Sequence, residues 1–213
     1  MHTGIKALIG TVAGVLTLGA TVGFTGAEFE FKPIAAVGEK APDFALKDLE
    51  GNEVKLADVL AKDDTKAVVL EWFNPGCPWV KAHYASDKSN KVEKAFEGQG
   101  VVWLRINSGG AGKQGAGVEV NKEAATAWHI TDPILLDESG EVGKAYGAKT
   151  TPHMFVIDGE GVLRYAGAFD DIKRPGAEGE KQYVADAVKA ILAGETVTTA
   201  QTRSYGCGVH YAD

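Results

Sequence analysis

The spacing of hydrophobic positions changes several times along the chain, and each change predicts an element. Residues 43–56 (DFALKDLEGNEVKL) place apolar side chains at every second position around Glu50-Gly51-Asn52, the pattern of a hairpin at the edge of a sheet. Residues 66–73 (KAVVLEWF) are almost continuously hydrophobic and rich in β-branched and aromatic side chains, as a central strand buried on both faces requires. A helix is expected from Cys77-Pro78 to Phe96, with a break near Ser86 to Ser89. Pro78 suits its first position, where a missing N–H is no loss. A second buried strand at Val101 to Ile106 leads into a glycine-rich loop at Ser108 to Gly117. A helix at Asn121 to His129, a strand at Pro133 to Leu136 and a helical stretch ending at Gly147 come next. Strands at His153 to Ile157 and Val162 to Ala166 flank the turn Asp158-Gly159-Glu160-Gly161, and Tyr183 to Leu192 has amphipathic spacing stopped by Gly194. This order predicts an α/β fold, a mixed central β-sheet flanked by helices after an N-terminal β-hairpin. Such an architecture serves many functions.

The first 27 residues follow a different rule. Lys6 is their only formal charge, residues 7–24 are uncharged, and Thr25-Gly26-Ala27 offers small residues for cleavage. The segment reads as a signal peptide, or as a membrane anchor if it is left uncleaved. Both readings place the rest of the chain in a periplasmic or extracellular location, with membrane contact only through an uncleaved 1–27. The remainder divides into a linker at 28–36, one domain at 37–194 and a tail at 195–213, in keeping with roughly 150 residues per domain. A 45% hydrophobic and 24% charged composition over 213 residues excludes a disordered chain. A net charge of −7 argues against a nucleic-acid partner.

Only two cysteines are present, Cys77 and Cys207, too few for a disulfide scaffold or a four-cysteine zinc site. Cys77 follows the central strand through Asn74-Pro75-Gly76 and opens a helix, where unpaired backbone amides and the helix dipole favour a thiolate. Lys81, one helical turn on, is placed to add positive charge to the same face. The alternative is a buried, inert thiol.

The stretch Gly38-Glu39-Lys40-Ala41-Pro42-Asp43-Phe44, the run WFNPGCPWVKAHY at 72–84, Thr150-Thr151-Pro152-His153 and Tyr205-Gly206-Cys207 together resemble the redoxin (alkyl hydroperoxide reductase and thiol-specific antioxidant) family. The resemblance spans about residues 37–211 and is nearest to peroxiredoxin-like proteins with a thioredoxin fold. It implies that Cys77 is the nucleophile, that Thr151-Pro152 is a threonine and cis-proline facing it, and that Glu71 stands where thioredoxins carry a buried acid assisting proton transfer. The alternative for Glu71 is a paired structural carboxylate. Two departures matter. Val80 replaces the second cysteine of a CxxC motif, which excludes a local disulfide, and Asn74 stands where a typical peroxiredoxin has a peroxide-contacting threonine. With Cys207 flanked by Gly206 and Gly208 in a tail read as flexible, the resemblance implies an exported thiol oxidoreductase. In this reading peroxide oxidises Cys77 to a sulfenic acid that Cys207 resolves, and an external, thioredoxin-like thiol donor restores the pair. Protein thiol-disulfide exchange is the alternative reaction, and a permanent staple between the two cysteines is the structural alternative.

Other signals carry less. Gly110-x-Gly112-x-x-Gly115 matches a dinucleotide fingerprint in letters, but no helix begins directly after it, so it reads as a mobile loop. His83, His129, His153 and His210 lack tight metal spacing. No cofactor or metal is expected, and a copper-binding or redox-inert module is the non-enzymatic alternative.

Overall fold

A computed structural model describes residues 34–213. The expected signal peptide or anchor at 1–27 and the first part of the linker lie outside the described residues. The hairpin pairs β1 (Ala45–Asp48) with β2 (Glu53–Lys55), and a short helix, α1 (Leu56–Leu60), follows. Asp48 Oδ1 makes the turn by accepting the Glu50 and Asn52 amides at 2.9 and 2.8 Å. Next come β3 (Ala67–Trp72), α2 (Pro78–Ala85), α3 (Lys88–Lys94), β4 (Val101–Asn107), α4 (Val118–Ala127), β5 (Ile134–Leu136) and α5 (Glu141–Tyr146). The chain continues with β6 (Thr150–Thr151), β7 (His153–Asp158), β8 (Leu163–Gly167), α6 (Tyr183–Leu192) and β9 (Cys207–Gly208).

Seven strands form one mixed sheet in the order β2-β1-β5-β4-β3-β7-β8, with the hairpin at its edge. β3 runs parallel to β4 and antiparallel to β7, and β4 runs parallel to β5. The two parallel steps are made by helical crossovers, as parallel pairing demands. Alternation along β3 sorts the core: Val68, Leu70 and Trp72 join one apolar layer with Leu104, Ile106, Phe155 and Tyr146. Val69 joins the opposite layer with Trp103, Met154, Val156 and the α6 residues Val184 and Val188. All six β3 residues are buried, as their continuous hydrophobicity predicts.

The break expected near Ser86 has a local cause. Ser86 Oγ donates to the Ala82 and His83 carbonyls at 2.8 and 3.2 Å, and Asp87 turns into the left-handed region at φ 58°. α2 therefore ends one turn before α3 starts. α1 and the two-residue strands β6 and β9 were not legible from periodicity, because elements that short show less than one or two repeats.

One ionic cluster is buried with the core. Arg105 on β4 is 0% exposed; its Nε donates to Tyr84 Oη at 2.7 Å, it pairs with Glu93, and it lies 3.8 Å from Glu71 Oε2. Tyr84 Oη and Trp103 Nε1 donate to the same Glu71 oxygen at 2.9 and 3.2 Å. Burial pushes the Glu71 carboxyl above the usual range, and Arg105 and these two donors offset that only in part. Removing the cation strands a buried carboxylate, so Arg105→Met is expected to destabilise the fold by about 3–5 kcal/mol in urea unfolding. Adding Glu71→Gln is expected to recover part of that loss. A single variant within about 1 kcal/mol of the parent contradicts this account of the cluster.

Candidate active site

Cys77 occupies the N-cap of α2 with extended backbone angles (φ −76°, ψ 125°), and Pro78 begins the helix. The preceding loop is closed by the Cys77 amide donating to Asn74 O at 3.0 Å. Asn74 spends both ends of its side chain on architecture: Oδ1 accepts the Gly76 amide at 2.7 Å, and Nδ2 donates to Gln114 O at 3.0 Å. That second bond fastens the cysteine loop to the glycine-rich segment. Asn107 and Asn121 hold the same segment by donating to Gly115 O at 2.7 and 3.1 Å. Gly115 has φ +75°, and a side chain there would overlap the Asn74 amide, so glycine is required for the two loops to meet. The loop expected to be mobile is instead a fixed wall of the site.

The opposite wall is the cis Thr151-Pro152 peptide at the end of β6. β6 pairs antiparallel with β9, placing Thr151 opposite Cys207 and Thr150 opposite Gly208. Cys77 Sγ lies 2.9 Å from Thr151 O and 2.8 Å from Cys207 Sγ. Both cysteines are free thiols, close enough for the small movement that forms an S–S bond of about 2.05 Å.

The pair is unequal. Burial pushes the Cys77 thiol up, but hydrogen bonds from Cys207, from Thr151 and from the Val80 and Cys207 amides more than offset it, leaving Cys77 below the ordinary thiol range. The Thr151 hydroxyl is buried with no hydrogen-bond partner and is free to serve a thiolate. Cys207 is pushed up to about 12, first by burial and then by its hydrogen bond and charge interaction with Cys77. One thiolate shared by two sulfurs explains both directions: its charge settles on Cys77, where the amides point, and holds the proton on Cys207.

The tail differs from the flexible arm expected from its glycines. Thr202 Oγ1 accepts the Ala168 amide at 2.8 Å, the Val209 amide donates to Lys149 O at 3.2 Å, and Tyr211 Oη donates to Ala148 O at 2.7 Å. Between these anchors Tyr205 packs against Trp79 with ring centroids 4.8 Å apart and the planes tilted by 36°. Polar and aromatic residues at 202, 205 and 211, which periodicity cannot interpret in a coil, supply what the glycines lack.

The structure thus brings together Cys77, Cys207, Thr151, Pro152 and Asn74. It does not bring Glu71 or Lys81 to the sulfurs. Glu71 makes its hydrogen bonds to Tyr84 and Trp103, and Lys81 is exposed. His83 and His153 are buried and each is pushed down to about 4, mainly by burial. Among the described residues no group of three His, Cys, Asp or Glu side chains is placed to hold a metal ion. Sequence reasoning missed Trp79 and Tyr205. Their signal was symmetry, one aromatic two residues after Cys77 and another two before Cys207.

The likeness to known proteins follows the same geography. The thiol-disulfide oxidoreductase ResA of Geobacillus thermodenitrificans is 32% identical over 152 residues, covering 70% of this chain and 80% of the relative. A solved hypothetical protein from Sinorhizobium meliloti 1021 superposes with a TM-score of 0.73 at 33% identity, covering 83% of this chain and 95% of that one. An uncharacterized conserved protein from Geobacillus kaustophilus also superposes with a TM-score of 0.73, at 32% identity, covering 84% and 94%. Residues 37–166, which run from the motif before β1 through the cysteine loop and the cis-proline to β8, match the AhpC/TSA family, and the chain belongs to that family.

Proposed function

We propose that the protein is an exported thiol-disulfide oxidoreductase in which Cys77 and Cys207 form one redox pair. The observation that carries this reading is the 2.8 Å approach of two sulfurs of opposite acidity, Cys77 lowered and Cys207 raised to about 12. The Cys77 thiolate attacks one sulfur of a substrate disulfide, forming a mixed disulfide and releasing the other sulfur as a thiolate that takes up a proton. Cys77 then carries no charge, so its hydrogen bond and charge interaction no longer hold the proton on Cys207, and the acidity of Cys207 rises against the burial that remains. Once deprotonated, Cys207 attacks Cys77 Sγ, expels the second substrate thiol and closes the Cys77–Cys207 disulfide. The substrate has gained two electrons and the protein has lost two, which an external dithiol of thioredoxin type returns. Run backwards, the same steps oxidise a substrate dithiol.

Exchange has more support than peroxide reduction. The relative ResA is named for disulfide exchange, and Asn74, at the position of the peroxide-contacting residue, has both polar atoms engaged by Gly76 and Gln114. Export rests on residues 1–27 and agrees with disulfide chemistry outside the cytoplasm.

Two experiments test this function. Reduced Cys207→Ser protein mixed with a peptide disulfide is expected to accumulate a mixed disulfide on Cys77, seen by intact mass, whereas the parent ends with an internal disulfide. Cys77→Ser is expected to do neither. If stoichiometric hydrogen peroxide oxidises Cys77 and the peptide disulfide leaves it untouched, the exchange reading is wrong.

The second experiment is a pH titration of thiolate ultraviolet absorbance. A thiol stabilised as its anion ionises at lower pH, so the first midpoint is expected below the roughly 8.5 of a free thiol. Cys207→Ala removes a donor to that anion and is expected to move the midpoint upward. A midpoint at or above the free value in the parent contradicts the proposed asymmetry.

A further inference from the structure

The more acidic of the two thiols is the one that solvent does not touch. Cys77 is 0% exposed, while Cys207 is only partly buried. The domain core packs around Cys77, and the tail closes the side on which Cys207 lies. Cys207 Sγ sits 2.8 Å from its sulfur, and Gly206, at φ +127°, lies so close to Thr151 O that any side chain there would collide with it. As docked, the tail leaves no route for a substrate disulfide to the Cys77 sulfur. Exchange through Cys77 therefore requires residues 205–208 to lift and reclose in every cycle.

The attachments that oppose lifting are unequal in kind. The β6–β9 ladder is only two residues long. Tyr205 sits beside it and is held more strongly. Its ring packs, tilted, against Trp79, two residues after Cys77, and its hydroxyl donates to Asp170 Oδ1 at 2.5 Å while lying 3.1 Å from His83 Nε2. Both partners are buried. His83 Nδ1 has no hydrogen-bond partner, so the tyrosine hydroxyl is the polar contact of that ring. Asp170 is separately held by Lys88 Nζ at 2.7 Å and by the Ile172 amide at 3.3 Å, so it stays in place whether or not Tyr205 does. The receptor for the hydroxyl is thus built into the domain, and the hydroxyl is carried by the moving segment. That is the arrangement of a latch.

We propose that the tail is a strap over the nucleophile and that Tyr205 is its latch, a positioning residue that governs access to Cys77 by seating its hydroxyl between Asp170 and His83. The strap deepens the proposed exchange reaction, in which Cys207 must both leave Cys77 for the substrate and return to resolve it. Gly206 and Gly208, on either side of Cys207, give the segment its pivots. The reactivity of Cys77 is then the fraction of time the strap is open multiplied by the ionisation of the open form, from which the Cys207 donors have withdrawn.

The proposal is tested on the fully reduced protein, without any exchange activity, so it fails or survives separately from the proposed function. The rate at which a maleimide modifies Cys77 is followed by peptide mass spectrometry in the parent and in Tyr205→Phe, which keeps the ring packed on Trp79 and removes only the hydroxyl. Thiolate absorbance is titrated on the same samples. Tyr205→Phe is expected to raise the modification rate about tenfold, the worth of one hydrogen bond to a charged group. The ionisation midpoint is expected to stay where it is in the parent, and the thermal unfolding midpoint to fall by only about 2–4 °C, the cost of that one bond, where a general loosening of the fold would lower it much further. A modification rate in Tyr205→Phe equal to the parent's overturns the latch. A faster rate accompanied by a shifted ionisation midpoint also overturns it, because Tyr205 would then act through the acidity of Cys77 and not through access. Asp170→Asn, which keeps an acceptor but loses the charge, is expected to fall between the two proteins; a rate in this variant above that of Tyr205→Phe contradicts the assignment of the hydroxyl as the controlling contact.

Discussion

The site depends on a two-residue strand pairing. Thr151 lies opposite Cys207 in the β6–β9 ladder, and through that register a thiol 130 positions away in sequence reaches the N-terminus of α2. A shift of one residue would turn the Cys207 side chain to the other face of the ladder. The rest of the molecule keeps the register in place. β3 delivers the cysteine loop, Asn74 and the glycine-rich wall fix its shape, and the anchors at Thr202, Tyr205 and Tyr211 hold the tail strand against β6. Glycines at 115 and 206 stand where a side chain would separate parts that must touch.

From that approach follows a division of labour between the two thiols. The amides at the start of α2 and the Thr151 hydroxyl favour charge on Cys77, and the charge on Cys77 keeps Cys207 protonated. In the proposed exchange, reaction at Cys77 removes the part of the restraint on Cys207 that its charge imposes, which favours attack by Cys77 first and by Cys207 second. The Glu71–Tyr84–Arg105 cluster is a structural feature by comparison. It lies on the same side of β3 as Val69, its members bond one another while Glu71 Oε1 and Arg105 Nη1 are left without partners, and it makes no hydrogen bond to either sulfur.

Much of this was readable in the amino-acid order. The buried strand at 66–73, the hairpin at 43–56, the helix stop near Ser86 and the amphipathic helix at 183–192 all stand where hydrophobic spacing puts them, because each buries a face long enough to show its period. The position of Cys77 between a proline-glycine turn and a helix carried its chemistry in the same way. What escaped was everything decided by contacts across long separations. Asn74 looked like a ligand-facing residue and is a loop clasp, and between the two readings the sequence left open for Glu71, a partner of the thiol or a paired carboxylate, only its contacts to Tyr84, Trp103 and Arg105 favour the second. The tail looked flexible because glycine flanks Cys207, yet Tyr205 and Tyr211 dock onto groups more than a hundred and about sixty residues earlier in the chain, respectively, and local patterns hold no record of them.

The central claim is that Cys77 and Cys207 act as one reversible redox unit and not as two thiols or a permanent staple. The measurement that bears on it most directly is a redox titration of the intact chain in glutathione buffers of graded ratio, quenched by alkylation and weighed by mass spectrometry. The account predicts a single two-electron transition in which both thiols appear together, with the dithiol form reached inside the range of the buffer. Cysteines that become alkylated at separate potentials, or a disulfide that persists at the most reducing ratio, would contradict it.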